Sequence, residues 1–223
     1  MKLIKKIYSD SHVRYYMFGM MIFSYKPKLL NDGIGNKISV PKDSPVIVRI
    51  HGNNNTVIQE DSIYPCYANI ILGRTDAPVD NCTIHIGKNC SMGGLSVQIH
   101  EDGTTITIGD DCMFSINERF WPTDMHTIIN ENGEVTNIGK YIKIGNHVWL
   151  GENVTICKNT EIADNCIVGT RSVVAGKFPN PNCVLAGNPA RVVKQGVNWD
   201  RRFPKQYLAA TKNNGKKDRK HEK

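Results

Sequence analysis

From residue 144 onward the chain repeats every six residues, and that period narrows the choice of fold more than any other feature. Ile144, Leu150, Ile156, Ile162, Val168 and Val174 form one series. A second series, Val148, Val154, Thr160, Cys166 and Ser172, runs four residues out of step with it and is small or β-branched throughout. Turn formers separate the two: Gly145-Asn146, Gly151-Glu152-Asn153, Ala163-Asp164-Asn165 and Gly169-Thr170. A helix would return its apolar residues at about 3.6, and one long strand at about 2 without regular turns. Short strands joined by tight turns satisfy six. Each inward aliphatic then stacks on its equivalent one coil away, the hexapeptide pattern of a parallel β-helix.

The first half carries the pattern in pieces. "TIHIGKNC" (83–90) and "TITIGDDC" (105–112) match "YIKIGNHV" (141–148), each an I-x-I-G unit with a small or branched residue four after the second Ile. "PVIVRIHGNNNTVIQED" (45–61) and "NIILGR" (69–74) read as irregular coils. The expectation is an all-β fold, with the repeat occupying 41–194 and Cys90, Cys112 and Cys166 packing in its small inward position. A solenoid needs capped ends. Residues 1–40 are expected to cap one end. A short amphipathic helix within 195–211 caps the other through Trp199, Phe203, Tyr207 and Leu208, and the basic stretch 212–223 reads as disordered.

Composition removes several function classes. The formal charge of +7 belongs to the ends: residues 1–30 carry +5 and 199–223 carry +6, leaving −4 on residues 31–198. The body therefore has no cationic bias toward nucleic acid. Seven widely spaced cysteines with no CxxC pair indicate neither a disulfide framework nor a zinc ribbon, and fit a reducing cytoplasm. The N-terminal run "MKLIKKIYSDSHVRYYMFGMMIFSYK" is interrupted by Asp10, His12 and Arg14 and is too short in its apolar part to span a bilayer. Packing on the body is the expected role. Peripheral association with the inner face of a membrane is the alternative its aromatics and lysines also suit.

The rhythm fails from about 117 to 141, and this stretch holds "TDMHTI" with a single histidine, His126. An excursion from a rigid wall presents a side chain to a ligand, and imidazole titrates near neutral pH, which suits a general base. Asn117, Glu118, Arg119 and Trp121 in the same stretch could line an acceptor groove, with Trp121 stacking on a sugar and Arg119 meeting an acidic one, or could simply pin the loop. Asp124 could orient the ring, bind acceptor hydroxyls or cap its own turn. Trp149, next to the inward Val148, should point outward and calls for something to cover it.

"IGNHVWLGENVTICKNTEIADNCIVGTRSVVAGKFPNPNCVLAGNPARVVK" (144–194) resembles the hexapeptide-repeat acyltransferases. V-W-L-G at 148–151, A-G-N-P-A-R at 186–191 and D-M-H at 124–126 carry the likeness, which is narrowest toward the bacterial capsular polysialic acid O-acetyltransferases. The resemblance implies a left-handed parallel β-helix, although the usual crossover preference would argue for the opposite hand. It also implies a homotrimer with the site between subunits, acetyl-CoA as co-substrate, no metal, and His126 as catalytic base with Trp149 completing the site. Gly151, Gly169, Thr170 and Ala175 would follow the pantetheine arm. Arg191 and Lys194, with Arg171 and Lys177 near, would meet the phosphates. "VAGKF" at 174–178 departs from the family pattern, since Ala175 lacks a hydroxyl and the lysine is displaced.

The function expected is thus acetyl transfer to a hydroxyl of a bacterial surface polysaccharide, one containing sialic acid among the candidates. An amino sugar or small-molecule acceptor on the same fold, and a non-catalytic scaffold, are the alternatives. A zinc carbonic anhydrase would need three converging histidines, and His85, His100, His126 and His147 offer no close pair. His147 is the reserve base.

Overall fold

A computed structural model of the chain describes residues 4–9, 12–17, 20–25 and 28–218, with side-chain environments from 28 to 211. Successive passes of the chain stack in parallel register. Ile144 lies beside Ile162, Leu150 beside Val168, and Ile156 beside Val174. Each step is eighteen residues, so one coil is three hexads and each hexad supplies one strand and one corner.

Three faces result. The first is a seven-stranded sheet from Lys37–Ser39 to Lys177–Phe178 that includes Tyr141–Ile144 and Thr160–Ile162. The second stacks Met113–Phe114, Trp149–Leu150, Ile167–Val168 and Cys183–Gly187. The third stacks Ile47–Ile50, Cys66–Leu72, Glu118–Trp121, Thr155–Cys157 and Val173–Val174. The strand Ser91–Ile99 bends through Gly93-Gly94 and pairs with neighbours on both the second and third faces. A Cβ on Gly93 would stand 2.2 Å from the Ser115 carbonyl oxygen, so only glycine permits that bend.

Both six-residue series point inward. Every member is buried, and Cys82, Cys90, Cys112 and Cys166 fill the same interior as small hydrophobes with free thiols. Each fully buried Leu, Ile or Val contributes roughly 1.5–3 kcal/mol of transfer free energy, which is the main term holding the coils together. The corner between the first and second faces explains the recurring Asn and Asp. Asn89, Asp111, His147, Asn165 and Asn182 all sit at φ between 52° and 60°, where short polar side chains are best tolerated. One residue earlier, the side chain accepts a backbone N–H from the coil below: Lys88 to Asp110 at 2.7 Å, Asp110 to Asn146 at 2.8 Å, Asn146 to Asp164 at 2.7 Å.

Three expectations change. Glu118–Trp121 is a wall strand paired with Ser91–Ile99 and Thr155–Cys157, so the excursion spans 122–140, not 117–141. The C-terminal helix runs Pro204–Asp218, beginning later than expected and extending into the stretch read as disordered. Trp199 is not on it, and Phe203, Tyr207 and Leu208 are exposed rather than packed as a cap. That end is closed instead by the antiparallel hairpin Cys183–Gly187/Ala190–Gln195. Residues 197–202 then strap back along a corner of the solenoid. The N-terminal strands Ile4–Ser9, His12–Met17 and Met20–Tyr25 form an antiparallel sheet of their own; their expected packing on the body, or on a membrane, concerns side chains outside the described residues. No helix among the described residues is long and apolar enough to cross a membrane.

Candidate active site

The excursion leaves the third face after Trp121 and rejoins the first at Tyr141. It folds back on itself as a short hairpin, with an antiparallel bridge between Ile129 and Val135 and a hydrogen bond from the Thr136 amide to the Ile128 carbonyl at 2.9 Å. His126 lies exposed at its base.

The surrounding chain holds that position from several sides. The Asn137 amide donates to the His126 carbonyl oxygen at 2.7 Å and to Asp124 Oδ2 at 2.9 Å, and its Oδ1 accepts the Ile128 N–H at 2.9 Å. Lys158, from the following coil, donates to Asp124 and to the Asn137 carbonyl. The Lys158 ammonium, then the Asn137 amide, hold the Asp124 carboxyl below its usual range. Asp124 is therefore a staple of the loop and not a partner of the His126 ring. Sequence reasoning missed Lys158, Asn137 and Glu101 because each acts through a partner on another coil or across the hairpin.

Asn117, Arg119 and Trp121 open on one concavity of about 390 Å³ on the third face, with Ser96 and Gln98 from the coil below. Arg119 stands beside Ser96 and Thr155 in register. Trp121 is the last wall residue before the loop, so this groove leads directly to the excursion. Glu118 faces inward with Phe120; both its carboxylate oxygens are buried without a hydrogen-bond partner. Burial, with a smaller contribution from Glu152, pushes its carboxyl up to about 7.

Trp149 points outward from the second face with 36% of its surface exposed. It tilts against Trp199, ring centroids 6.1 Å apart. Trp199 stacks on His147 at 4.0 Å and donates its indole N–H to the His147 carbonyl at 2.8 Å. His147 Nδ1 meets Asp111 at 2.7 Å and Nε2 meets the Trp199 carbonyl at 3.1 Å, so both ring nitrogens are committed to structure and it has no place as a reserve base. Register puts Trp149, Ile167, Val184 and Lys194 in one row across adjacent strands of the second face, with Arg191 on the same closing hairpin. At about 4.8 Å per strand, the backbones of Trp149 and Lys194 are about 14 Å apart. An apolar track ending in two cations fits a pantetheine arm with phosphates at its end.

The remaining candidates divide. Gly151, Gly169, Thr170 and Arg171 gather at the corner between the second and third faces. The Gly151 and Gly169 amides, however, bond the Val168 and Leu185 carbonyls at 2.8 Å, so they are not free to bind an arm or an oxyanion. A Cβ on Gly151 would lie 2.8 Å from the Thr170 nitrogen, so close packing of coils accounts for that glycine. Ala175 and Lys177 lie past the third face, away from the other cations. Lys177 is engaged by Tyr141 and Glu161, which raise its ammonium above the usual range. Among the described residues no group of three or more His, Cys, Asp or Glu could hold a metal ion.

The model of the bacterial transferase hexapeptide family, six repeats, matches residues 141–176. The fold and this match define a transferase built on a hexapeptide solenoid. The structure of the polysialic acid O-acetyltransferase OatWY superposes with a TM-score of 0.58 at 34% identity, covering 78% of this chain and 92% of that one. An uncharacterized 24.8 kDa protein in the cps region of Klebsiella pneumoniae is 34% identical over 198 residues, 82% of this chain and 87% of the relative. The polysialic acid O-acetyltransferase of Neisseria meningitidis is 39% identical over 108 residues, and that match spans 48% of this chain and just 46% of the relative's length. The chain belongs to the hexapeptide-repeat acyltransferase family, in the group that holds the polysialic acid O-acetyltransferases.

Proposed function

We propose that the chain is an acetyl-CoA-dependent O-acetyltransferase that esterifies a hydroxyl of a bacterial surface polysaccharide, with sialic-acid-containing chains as the acceptor class, acting at the cytoplasmic side. The observation that carries this reading is the interruption of the repeat by a fastened loop that presents an exposed imidazole. His126 accepts the proton of the acceptor hydroxyl as the oxygen attacks the thioester carbonyl. As the tetrahedral adduct collapses, the departing sulfur takes that proton from the imidazolium, leaving an acetyl ester and a free thiol. Arg119, Asn117 and Trp121 hold the acidic sugar beside the loop.

In this reading acetyl-CoA lies along the second face, over Trp149, Ile167 and Val184, toward Lys194 and Arg191. The excursion leaves from a different edge of the same solenoid. A site containing both His126 and Trp149 is therefore assembled between protomers, and we take the active form to be a homotrimer of left-handed coils. The exposed Met125, Ile128, Ile129, Val135 and Ile138 of the excursion supply apolar surface for such a contact.

The test is incubation with acetyl-CoA and sialic acid oligomers, measuring thioester loss and alkali-labile acetyl gain by mass spectrometry. Wild type should form the ester, and His126→Ala should lose nearly all of the rate while still binding acetyl-CoA. Acetylation of amines in preference to hydroxyls would overturn the acceptor assignment. Lack of protection by acetyl-CoA against thermal unfolding would overturn the enzyme reading itself.

A further inference from the structure

Glu101 sits in the turn of the coil beneath the excursion and touches both of its ends. Its Oε1 accepts the Thr123 hydroxyl at 2.5 Å and its Oε2 accepts the Gly139 N–H at 2.8 Å. An ionised carboxylate is acceptor-only with two oxygens, and the two feet of the loop each offer it one donor. With its proton given to Glu101, the Thr123 oxygen is left as an acceptor, and it takes the Met125 N–H at 3.0 Å. Met125 lies at φ +62°, an unfavourable region for a side chain of its kind, so a bond to its amide is needed to keep it there. His126 is the next residue. Glu101 thus fixes the loop's closure and, through Thr123, the backbone step that aims the imidazole.

We infer that Glu101 is a positioning residue of the active-site excursion, holding His126 in place without touching either reactant. The catalytic half of this statement rests on the assignment of His126 as base; the anchoring half does not. One carboxylate that accepts from both feet registers the two strands of the excursion against each other and against the wall.

The experiment compares wild type, Glu101→Gln, Thr123→Val and Thr123→Ser in the full chain. It follows amide exchange of residues 122–140 alongside kcat and KM with acetyl-CoA and sialic acid oligomers. Glutamine keeps the size but puts an NH₂ where one of the two donors needs an acceptor. Glu101→Gln and Thr123→Val should each speed exchange across the excursion while peptides of the solenoid keep wild-type protection. They should lower kcat by about tenfold to a hundredfold, with KM for acetyl-CoA unchanged. Thr123→Ser should restore both relative to Thr123→Val, and the double variant Glu101→Gln/Thr123→Val should be no worse than the worse of the two single ones, as a shared clamp requires. Unchanged exchange in Glu101→Gln would refute the anchoring. Faster exchange with unchanged kcat, in an enzyme that His126→Ala inactivates, would refute the positioning. Faster exchange together with full activity of His126→Ala would leave the anchor standing and overturn the choice of base instead.

Discussion

A carboxyl buried among aliphatic rungs should make this protein lose stability as pH rises from about 4.5 to neutrality, and Glu118 is the residue responsible. It stands inward between Leu95 and Val154, both of its oxygens are without partners, and its pKa is raised from 4.5 to about 7. Below pH 4.5 the group is neutral in the folded and unfolded chain alike, and its ionisation costs nothing. Between 4.5 and 7 the unfolded chain releases the proton while the folded one retains it, so stability falls with each step of pH. Above 7 both states are ionised and the loss levels off. At 1.36 kcal/mol per unit, a gap of about 2.5 units comes to roughly 3 kcal/mol. Glu118→Gln leaves an uncharged amide whose cost is the same at every pH. Urea unfolding at fixed protein concentration from pH 4.5 to 8.5 should therefore show the variant gaining on wild type by about 3 kcal/mol, most of it between pH 5 and 7.5. If the two curves run parallel, Glu118 is either paired or hydrated in solution and the reasoning fails.

Two further outcomes follow from the strap and from the second face. Arg201, 18% exposed, donates to Asp111, Ser91 and the carbonyls of Asn89, Asp111 and Cys112; Arg201→Ala should cost about 2–4 kcal/mol and raise acrylamide quenching of the buried Trp199, and unchanged quenching would show that the strap closes without it. Lys194→Glu should raise KM for acetyl-CoA by about threefold to tenfold and leave kcat near wild type, since a phosphate contact is made equally in ground and transition states; steady-state kinetics with an unchanged KM would remove Lys194 from the donor path.

The reach of the sequence ended where stabilisation stopped being periodic. Ile144, Leu150 and Ile156 announce the coils because every inward site excludes water, and a residue's neighbour in space is its equivalent one coil on. Glu118 breaks that rule: a carboxylate at a site where the neighbouring coils hold Leu95 and Val154 reads as solvent-facing. One polar residue in the core thus made a wall strand look like the start of a loop and placed Asn117, Arg119 and Trp121 on the wrong element. The anchoring of His126 was illegible for a different reason. Glu101 is 22 residues from Thr123 and 38 from Gly139, and Lys158 is 34 from Asp124. The first separation is one coil and the other two are a coil lengthened by the excursion, so no local window contains both partners. The strap is further removed still, with Arg201 110 residues from Ser91. A solenoid declares its wall through repetition, while the groups that make the wall useful are irregular by necessity. What joins them is the stacking of coils, which brings the turn at Glu101 directly beneath the gap that holds His126.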